Sequence, residues 1–252
     1  MNEVNSFFSL KNTVQSISNE ESEQLSNYLL AIDAFSRTTY KSIYVIDYHQ
    51  QCFDYVSDNP LFLCGHTAQE VKEMGYSFYF KFVVEDDLDL LLKINKAGFD
   101  FYERIAVEER PLYTISYDFR LKNNDGNIIL VNHKLTPLFI NKDGKIWKSF
   151  CIVSLSEKQS SGNIKIYKQN ESKYWNYDLE GDFWETSESI TLTDREKEIL
   201  YLSIQGLTVG DIARRIFISP DTVKFHRRKL FDKLGVANIT EAISFATNNR
   251  LL

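Results

Sequence analysis

Two Asp-Gly dipeptides, Asp125-Gly126 and Asp143-Gly144, constrain this chain more than any other feature. Glycine after aspartate supplies the positive φ that a tight reversal requires, so each pair marks a hairpin turn. They separate three segments rich in β-branched and aromatic residues: Tyr113–Leu121, Ile128–Ile140 and Ile146–Leu155. Strands joined by short turns are antiparallel neighbours, which predicts a three-stranded meander. Upstream, Ile43–Tyr48 and Cys52–Ser57 read as two further strands that turn at His49-Gln50. Between the pair and the meander the period changes. Thr67 with Glu70 makes a capping box, and Leu88, Leu91, Leu92 and Phe99 recur at helical spacing within Val84–Tyr102. The acidic run Glu85-Asp86-Asp87 suits the N-terminus of that helix, where the helix dipole favours negative charge. Two strands, then helices, then a meander predict an α+β domain with a largely antiparallel sheet, over residues 40–157.

Flanking segments read differently. Ser18 with Glu21, followed by Leu25, Tyr28, Leu29, Ile32 and Phe35, predicts an amphipathic helix over Glu20–Arg37 within a helical N-terminal extension of residues 1–39. Residues 158–190 read as a linker that carries an aromatic hairpin: Ser154–Asn163 is polar, and Asn163–Lys168 and Lys173–Glu185 are candidate short strands. In that hairpin Leu179-Glu180-Gly181-Asp182 turns the chain between Tyr174-Trp175 and Phe183-Trp184, and the plainest reading is that it packs on a neighbouring domain. Residues 191–252 announce four short helices. Thr193 with Glu196 and Thr208 with Asp211 cap the first two, and Ser219 with Pro220 opens the third, which Gly235 ends. Asn238 with Glu241 opens the fourth.

With 252 residues, 43% hydrophobic and 14% aromatic, the chain can build real cores, which excludes global disorder. No apolar run approaches the roughly 18 residues of a membrane span. The start, MNEVNSFFSLKN, lacks the basic and apolar regions of a signal peptide, so a cytoplasmic location with no membrane partner is expected. Cys52, Cys64 and Cys151 are few, odd in number and without metal-ligand spacing, so reduced thiols and no metal site are expected. The net charge of −6 conceals a split. Residues 187–252 carry ten Lys/Arg against eight Asp/Glu, and within Arg214–Lys233 the ratio is seven to two. An acidic domain joined to a small one with a basic stripe is the expectation.

On a helical wheel of the third C-terminal helix, Val223, Leu230 and Leu234 share one face. Lys224, Phe225 and Arg228, with Asp221 and Asp232, lie across or beside the other, flanked by Lys229. A short helix, a tight turn and a helix basic on its outer side fit the major groove of B-DNA; a merely solvated basic face is the alternative. Residues 192–252 also resemble the LuxR-type helix-turn-helix of bacterial transcription regulators. The matching pieces include Leu192-Thr193-x-Arg195-Glu196, Gly206-Leu207-Thr208, Asp211-Ile212-Ala213, Ile218-Ser219, Thr222-Val223-Lys224-x-His226-Arg227 and Lys233-Leu234-Gly235-Val236. The resemblance implies that the third helix enters the major groove of double-stranded DNA. Lys224, Phe225 and Arg228 would then face bases, with Thr222, Arg227 and Lys229 near phosphates. It implies a homodimer as well, formed through the last helix.

Residues Tyr40–Glu157 resemble a Per-ARNT-Sim (PAS) sensor domain, through Asn59-Pro60, Gly65-x-Thr67-x-x-Glu70-Val71, Val84-Glu85-Asp86-Asp87 and the two Asp-Gly turns. The resemblance implies a domain that senses a small-molecule ligand or mediates dimerisation; a protein-interaction module without a ligand is the alternative. No cofactor is legible. His49, His66 and His133 read as ordinary polar residues rather than haem ligands, and the cysteines lack the polar motif of flavin-reactive ones. No nucleophilic triad or phosphate-cradling Gly-rich loop is present in the sequence, so no enzymatic activity is expected.

Overall fold

The structure, a computed structural model, describes residues 3–19, 28–248 and 251. It divides into two compact units, Met1–Ser187 and Glu188–Leu252.

The first unit is built on one antiparallel sheet. Its strands are β1 (Ser42–Asp47), β2 (Cys52–Val56), β3 (Tyr113–Lys122), β4 (Ile128–Ile140), β5 (Ile146–Leu155), β6 (Gly162–Lys168), β7 (Lys173–Asp178) and β8 (Phe183–Glu188). They lie in the order β2-β1-β5-β4-β3-β6-β7-β8. Both Asp-Gly turns form. Gly126 and Gly144 take φ of 83° and 80°. Asn123 Oδ1 accepts from the Asp125 and Asn127 N–H groups, and Asn141 Oδ1 from Lys145 N. Gly144 is constrained twice, because a Cβ there would come within 2.8 Å of Val107 Cγ2.

Helix α1 (Tyr28–Ser36) precedes β1, and α2 (Pro60–Leu63), α3 (Ala68–Met74), α4 (Ser77–Phe82) and α5 (Glu85–Tyr102) lie between β2 and β3. Tyr44, Ile46, Phe53, Phe62, Phe78, Phe119, Val131 and Cys151 belong to one buried core between sheet and helices. Strand alternation sends Ile43 and Val45 to the other face, where Ile32 of α1 covers them. A buried charge cluster ties α1 down there. Lys148 Nζ bonds Asp47 at 2.9 Å, Asp54, and the Tyr28 hydroxyl at 3.1 Å. Asp87, in the acidic first turn of α5, is buried too: it takes Arg120 Nη2 at 2.7 Å, Arg120 N and the Ser161 hydroxyl at 2.6 Å. Burial would raise its pKa, but those donors hold it below the usual carboxylate range. Strand pair, helices and meander follow in the order the PAS resemblance implies, and this unit is PAS-like.

Two boundaries differ from the sequence reading. Residues 158–190 are not a linker: β6 pairs with β3 (Ile166 opposite Ile115), β7 pairs with β6, and β8 completes the sheet. The reason is burial. Ile164 and Ile166 reach the core, and the aromatic hairpin packs on α5, with Trp175 and Trp184 at 5.2 and 5.1 Å from Phe101. Residues 1–39 are not a mere extension either, because Phe7 and Val14 are core residues of this unit. Of the predicted helix Glu20–Arg37, the stretch 20–27, with Glu21 and Leu25, lies outside the described residues.

The second unit holds α6 (Asp194–Ile204), α7 (Val209–Arg215), α8 (Pro220–Leu234) and α9 (Ile239–Asn248). Full capping boxes close at Thr193/Glu196 and Thr208/Asp211, and Ser219 caps α8 with Pro220 at its first position. Gly235 ends α8 in the left-handed region. Glu196 does two jobs: it accepts from Thr193 N at 2.8 Å and from Lys233 Nζ at 2.9 Å, which ties the start of α6 to the end of α8.

Candidate nucleic-acid interface

Helix α8 is bound to its unit along one strip. Val223 packs with Ile199, Ile212 and Ala213, while Leu230 and Leu234 pack with Leu200, Ala242 and Ala246. All three other helices thus grip the same side of α8. Its opposite side carries Lys224, Phe225, Arg228 and Lys229, all exposed. Lys229 Nζ stands 4.8 Å over the Phe225 ring, so cation and aromatic form one surface feature. Lys224 Nζ donates to Asp221 Oδ1 at 3.0 Å. Among the described residues Arg228 has no ion pair.

The other two predicted contact residues are placed differently. Thr222 is half-buried, and its hydroxyl lies 2.8 Å from the Ser219 hydroxyl in the helix cap. Arg227 is half-buried as well, its guanidinium 5.7 Å over the Phe231 ring. Both flank the outward face and do not share it. Sequence reasoning passed over three exposed features nearby. Arg214 and Arg215 end α7, with Arg214 paired to Asp211. Phe217, in the turn between α7 and α8, is 94% exposed at φ 56°. A non-glycine residue there costs roughly 1–2 kcal/mol, held in place as Ile218 N reaches Ala213 O at 3.0 Å. The signal for Arg214 and Arg215 was present in the charge count; the backbone strain at Phe217 had none.

The PAS-like unit holds a second candidate site, a partly open cavity with about 50 Å³ of internal space between sheet and helices. That is room for a few water molecules, each of which needs about 10–15 Å³ of such space. Phe7, Tyr48, Tyr76, Tyr79 and Tyr117 are among its walls, with Asn95, and among the described residues no charged side chain lines it. Asn95 Nδ2 donates to the Phe7 carbonyl at 2.8 Å. From Tyr79 a buried polar chain runs into the sheet: the Tyr79 and Tyr44 hydroxyls are 2.6 Å apart, and Tyr44 Oη is 2.6 Å from His133 Nε2. Burial pushes the His133 imidazole down to about 3, so it is neutral near pH 7, and its Nδ1 has no partner among the described residues. His49 and His66 sit in polar contacts, with Val14 O and Asn124 Nδ2. Among the described residues no group of three His, Cys, Asp or Glu is arranged to hold a metal ion, and no helix is long and apolar enough to cross a membrane.

The sequence pattern of the family described as "Bacterial regulatory proteins, luxR family" matches residues 190–246. This segment is a LuxR-type helix-turn-helix domain. The CsgBAC operon transcriptional regulatory protein of Escherichia coli is 47% identical to it over 66 residues, covering 26% of this chain and 31% of that protein. The transcriptional activator protein EsaR of Pantoea stewartii is 32% identical over 93 residues, 35% of this chain and 37% of that one. The chain thus spans about a third of the length of the curated relatives it matches. Among solved structures, a Vibrio cholera VqmA–ligand–DNA complex is 19% identical over 87% of each chain, with a TM-score of 0.35, below the level at which shared architecture follows. In the LuxR-type domain, α8 is the third helix, the one the resemblance assigns to the major groove.

Proposed function

We propose that this protein is a sequence-specific, DNA-binding transcription regulator, cytoplasmic and without enzymatic activity, whose PAS-like unit senses a ligand or mediates dimerisation. The observation that carries the reading is the division of α8: an apolar strip buried against three helices, and Lys224, Phe225, Arg228 and Lys229 exposed opposite it. In this reading Lys224, Phe225 and Arg228 meet base edges, where Arg pairs bidentately with guanine and an apolar ring meets a thymine methyl. Lys229 meets phosphate, and Thr222 and Arg227 hold the rim of the contact. The DNA-bound form is a homodimer. One such module buries only about 600–1,000 Å² on DNA, and two half-sites a helical turn apart double it.

The test is selection of duplexes from a random pool by the full-length protein, followed by footprinting. Recovery of a two-fold symmetric site supports the proposal. An unrepeated half-site bound by a monomer refutes the dimer, and no enriched sequence refutes the regulator. The small size of the cavity favours a second reading of the PAS-like unit, a protein-interaction module with no ligand. Mass spectrometry of small molecules released from denatured protein separates the two.

A further inference from the structure

We infer that Phe217, in the turn between α7 and α8, lays its ring on a deoxyribose of the DNA strand bordering the groove that α8 enters, with Arg215 on a neighbouring phosphate. The inference rests on the DNA-binding reading above and adds to it an uncharged contact with the sugar–phosphate strand.

Folding of the helical unit does not account for a phenylalanine at this position. The backbone takes the left-handed region, φ 56°, where a Cβ is penalised and where glycine or asparagine sits with less strain. Burial of the ring would offset that strain, but the residue is 94% exposed. A lone exposed apolar side chain is ordinary on a protein surface. One that also carries backbone strain, with no burial to compensate, points to a use outside the fold. Nor is the ring loosely placed. Ile216 and Ile218, on either side, pack on the core formed by Ile199, Ile212, Ala213 and Val223, and Ile218 N donates to Ala213 O at 3.0 Å. With both neighbours held inward, Phe217 is aimed outward from a fixed turn.

The surroundings of the turn indicate what the ring meets. When a helix-turn-helix docks, the second helix directs its N-terminal residues at base edges and the first crosses the backbone. The turn that joins them stands at the wall of the groove, where sugars and phosphates pass. Phe217 lies two residues before Ser219, the N-cap of α8, and the positive end of that helix's dipole favours a phosphate. Arg214 and Arg215, both exposed, end α7 just before the turn. Arg214 is paired with Asp211, whereas Arg215 is in no ion pair among the described residues. A phosphate drawn to Arg215 and the start of α8 brings its adjoining deoxyribose against Phe217. The C–H surface of that sugar is what an aromatic ring can cover without stripping water from a charge.

The experiment measures binding of the full-length protein to a duplex recovered by selection and to a scrambled duplex of equal length, by fluorescence anisotropy over a range of salt. Phe217→Asn keeps the left-handed turn and removes the ring. Amide hydrogen exchange in α6 to α9 should be no faster than in wild type, while affinity falls about three- to tenfold, the worth of covering half a phenylalanine side chain. The loss should be equal on both duplexes, because a sugar contact carries no sequence information. The slope of log affinity against log salt should stay unchanged, because an uncharged contact releases no counterion. Phe217→Tyr, which keeps the ring, should bind like wild type, and Arg215→Ala should reduce the slope by about 0.9. Wild-type affinity in Phe217→Asn overturns the inference and leaves α8 as the proposed reader. Faster exchange in that variant overturns it too, by making the ring part of the fold, as does a loss confined to the selected duplex, which marks a base contact. An unaltered slope in Arg215→Ala, or a Phe217→Tyr protein as weak as Phe217→Asn, also overturns it. Wild-type protein that binds neither duplex refutes the DNA-binding reading and takes the inference with it.

Discussion

Replacing Arg228 and its neighbour Lys229 by alanine, one at a time, should produce two different defects from adjacent residues. Arg228 is exposed and unpaired among the described residues, so truncating it removes no contact that holds the unit together. Its fork of donors is wholly available to a base edge. Losing one good base contact costs about 1–3 kcal/mol and relaxes preference at that position, which is roughly five- to 150-fold in affinity for the selected site. Duplexes already mismatched at that position should lose little. Lys229 instead rests 4.8 Å over the Phe225 ring, an exposed cation–π contact worth about 0.5–1 kcal/mol. Its alanine variant should weaken selected and mismatched duplexes alike and reduce the slope of log affinity against log salt by about 0.9. The assay is fluorescence anisotropy on selected and singly mismatched duplexes from roughly 50 to 200 mM salt, with circular dichroism confirming that each variant is folded. If folded Arg228→Ala retains both affinity and preference, α8 does not read bases through this residue. If the two variants show the same salt slope and the same mismatch ratios, the separation of base from phosphate contacts is wrong.

Other expectations follow from burial. Val223→Asp places a charge at a fully buried position among Ile199, Ile212 and Ala213, so the helical signal of residues 188–252 should be lost on circular dichroism while the PAS-like unit still melts cooperatively. Lys148→Ala strands Asp47 and Asp54 without their cation, and urea unfolding of the PAS-like unit should show a loss of about 3–5 kcal/mol; an unchanged midpoint would remove the cluster as the anchor of α1. His133 contributes a definite pH dependence. Its folded pKa is lowered to about 3, against about 6.5 unfolded, so the unfolded chain binds the extra proton between those values and stability falls as pH drops from 6.5 towards 3. His133→Gln should flatten that part of the stability–pH curve. Asp87 and Glu196 add a lower window: burial opposes ionisation, but hydrogen bonds from Arg120 and Lys233 keep both folded pKa values depressed, so their stability is present above the unfolded pKa and lost as pH falls below about 4. Residues 189–193 lie between β8 and α6 and outside both, so we propose that a glutamyl protease cuts at Glu188 to release two stable fragments; preferred cleavage within 158–173 would restore the linker read there from sequence.

Local chemistry made much of this fold legible. The Asp-Gly turns and the caps at Thr67, Thr193, Thr208 and Ser219 are written in adjacent residues, and each forms as read. The strip of Val223, Leu230 and Leu234 follows from helical period alone. What escaped depends on partners distant in sequence. The segment Asn163–Lys168 is a candidate short strand in the sequence, but its place in the sheet is not legible there: only Ile164 and Ile166 signal burial, and the partner strand, Tyr113–Lys122, ends some forty positions earlier. Phe7 and Val14 look like an unstructured start until Tyr76, Tyr79 and Tyr48 are brought to them. The chain from His133 to Tyr79 joins a strand of the meander, the first strand and a short helix, which no spacing rule connects. At α8, the wheel separated inside from outside but could not tell that Thr222 and Arg227 are partly occupied by Ser219 and Phe231.

The pairing of Lys224 with Asp221 has a consequence for how a duplex is chosen. On the reading proposed for α8, this lysine reaches DNA with a hydrogen bond already made, 3.0 Å long, to a carboxylate one turn back on the same helix. A duplex must offer it something better than Asp221 does. It must also lie where the carboxylate does not meet a phosphate head-on, because like charges brought together there raise the energy of a poorly aligned complex. A sequence that fails on either count leaves the lysine where it was. Choosiness then arises partly from a contact that must be broken, and Asp221→Asn should give a protein that binds more DNA and distinguishes less of it.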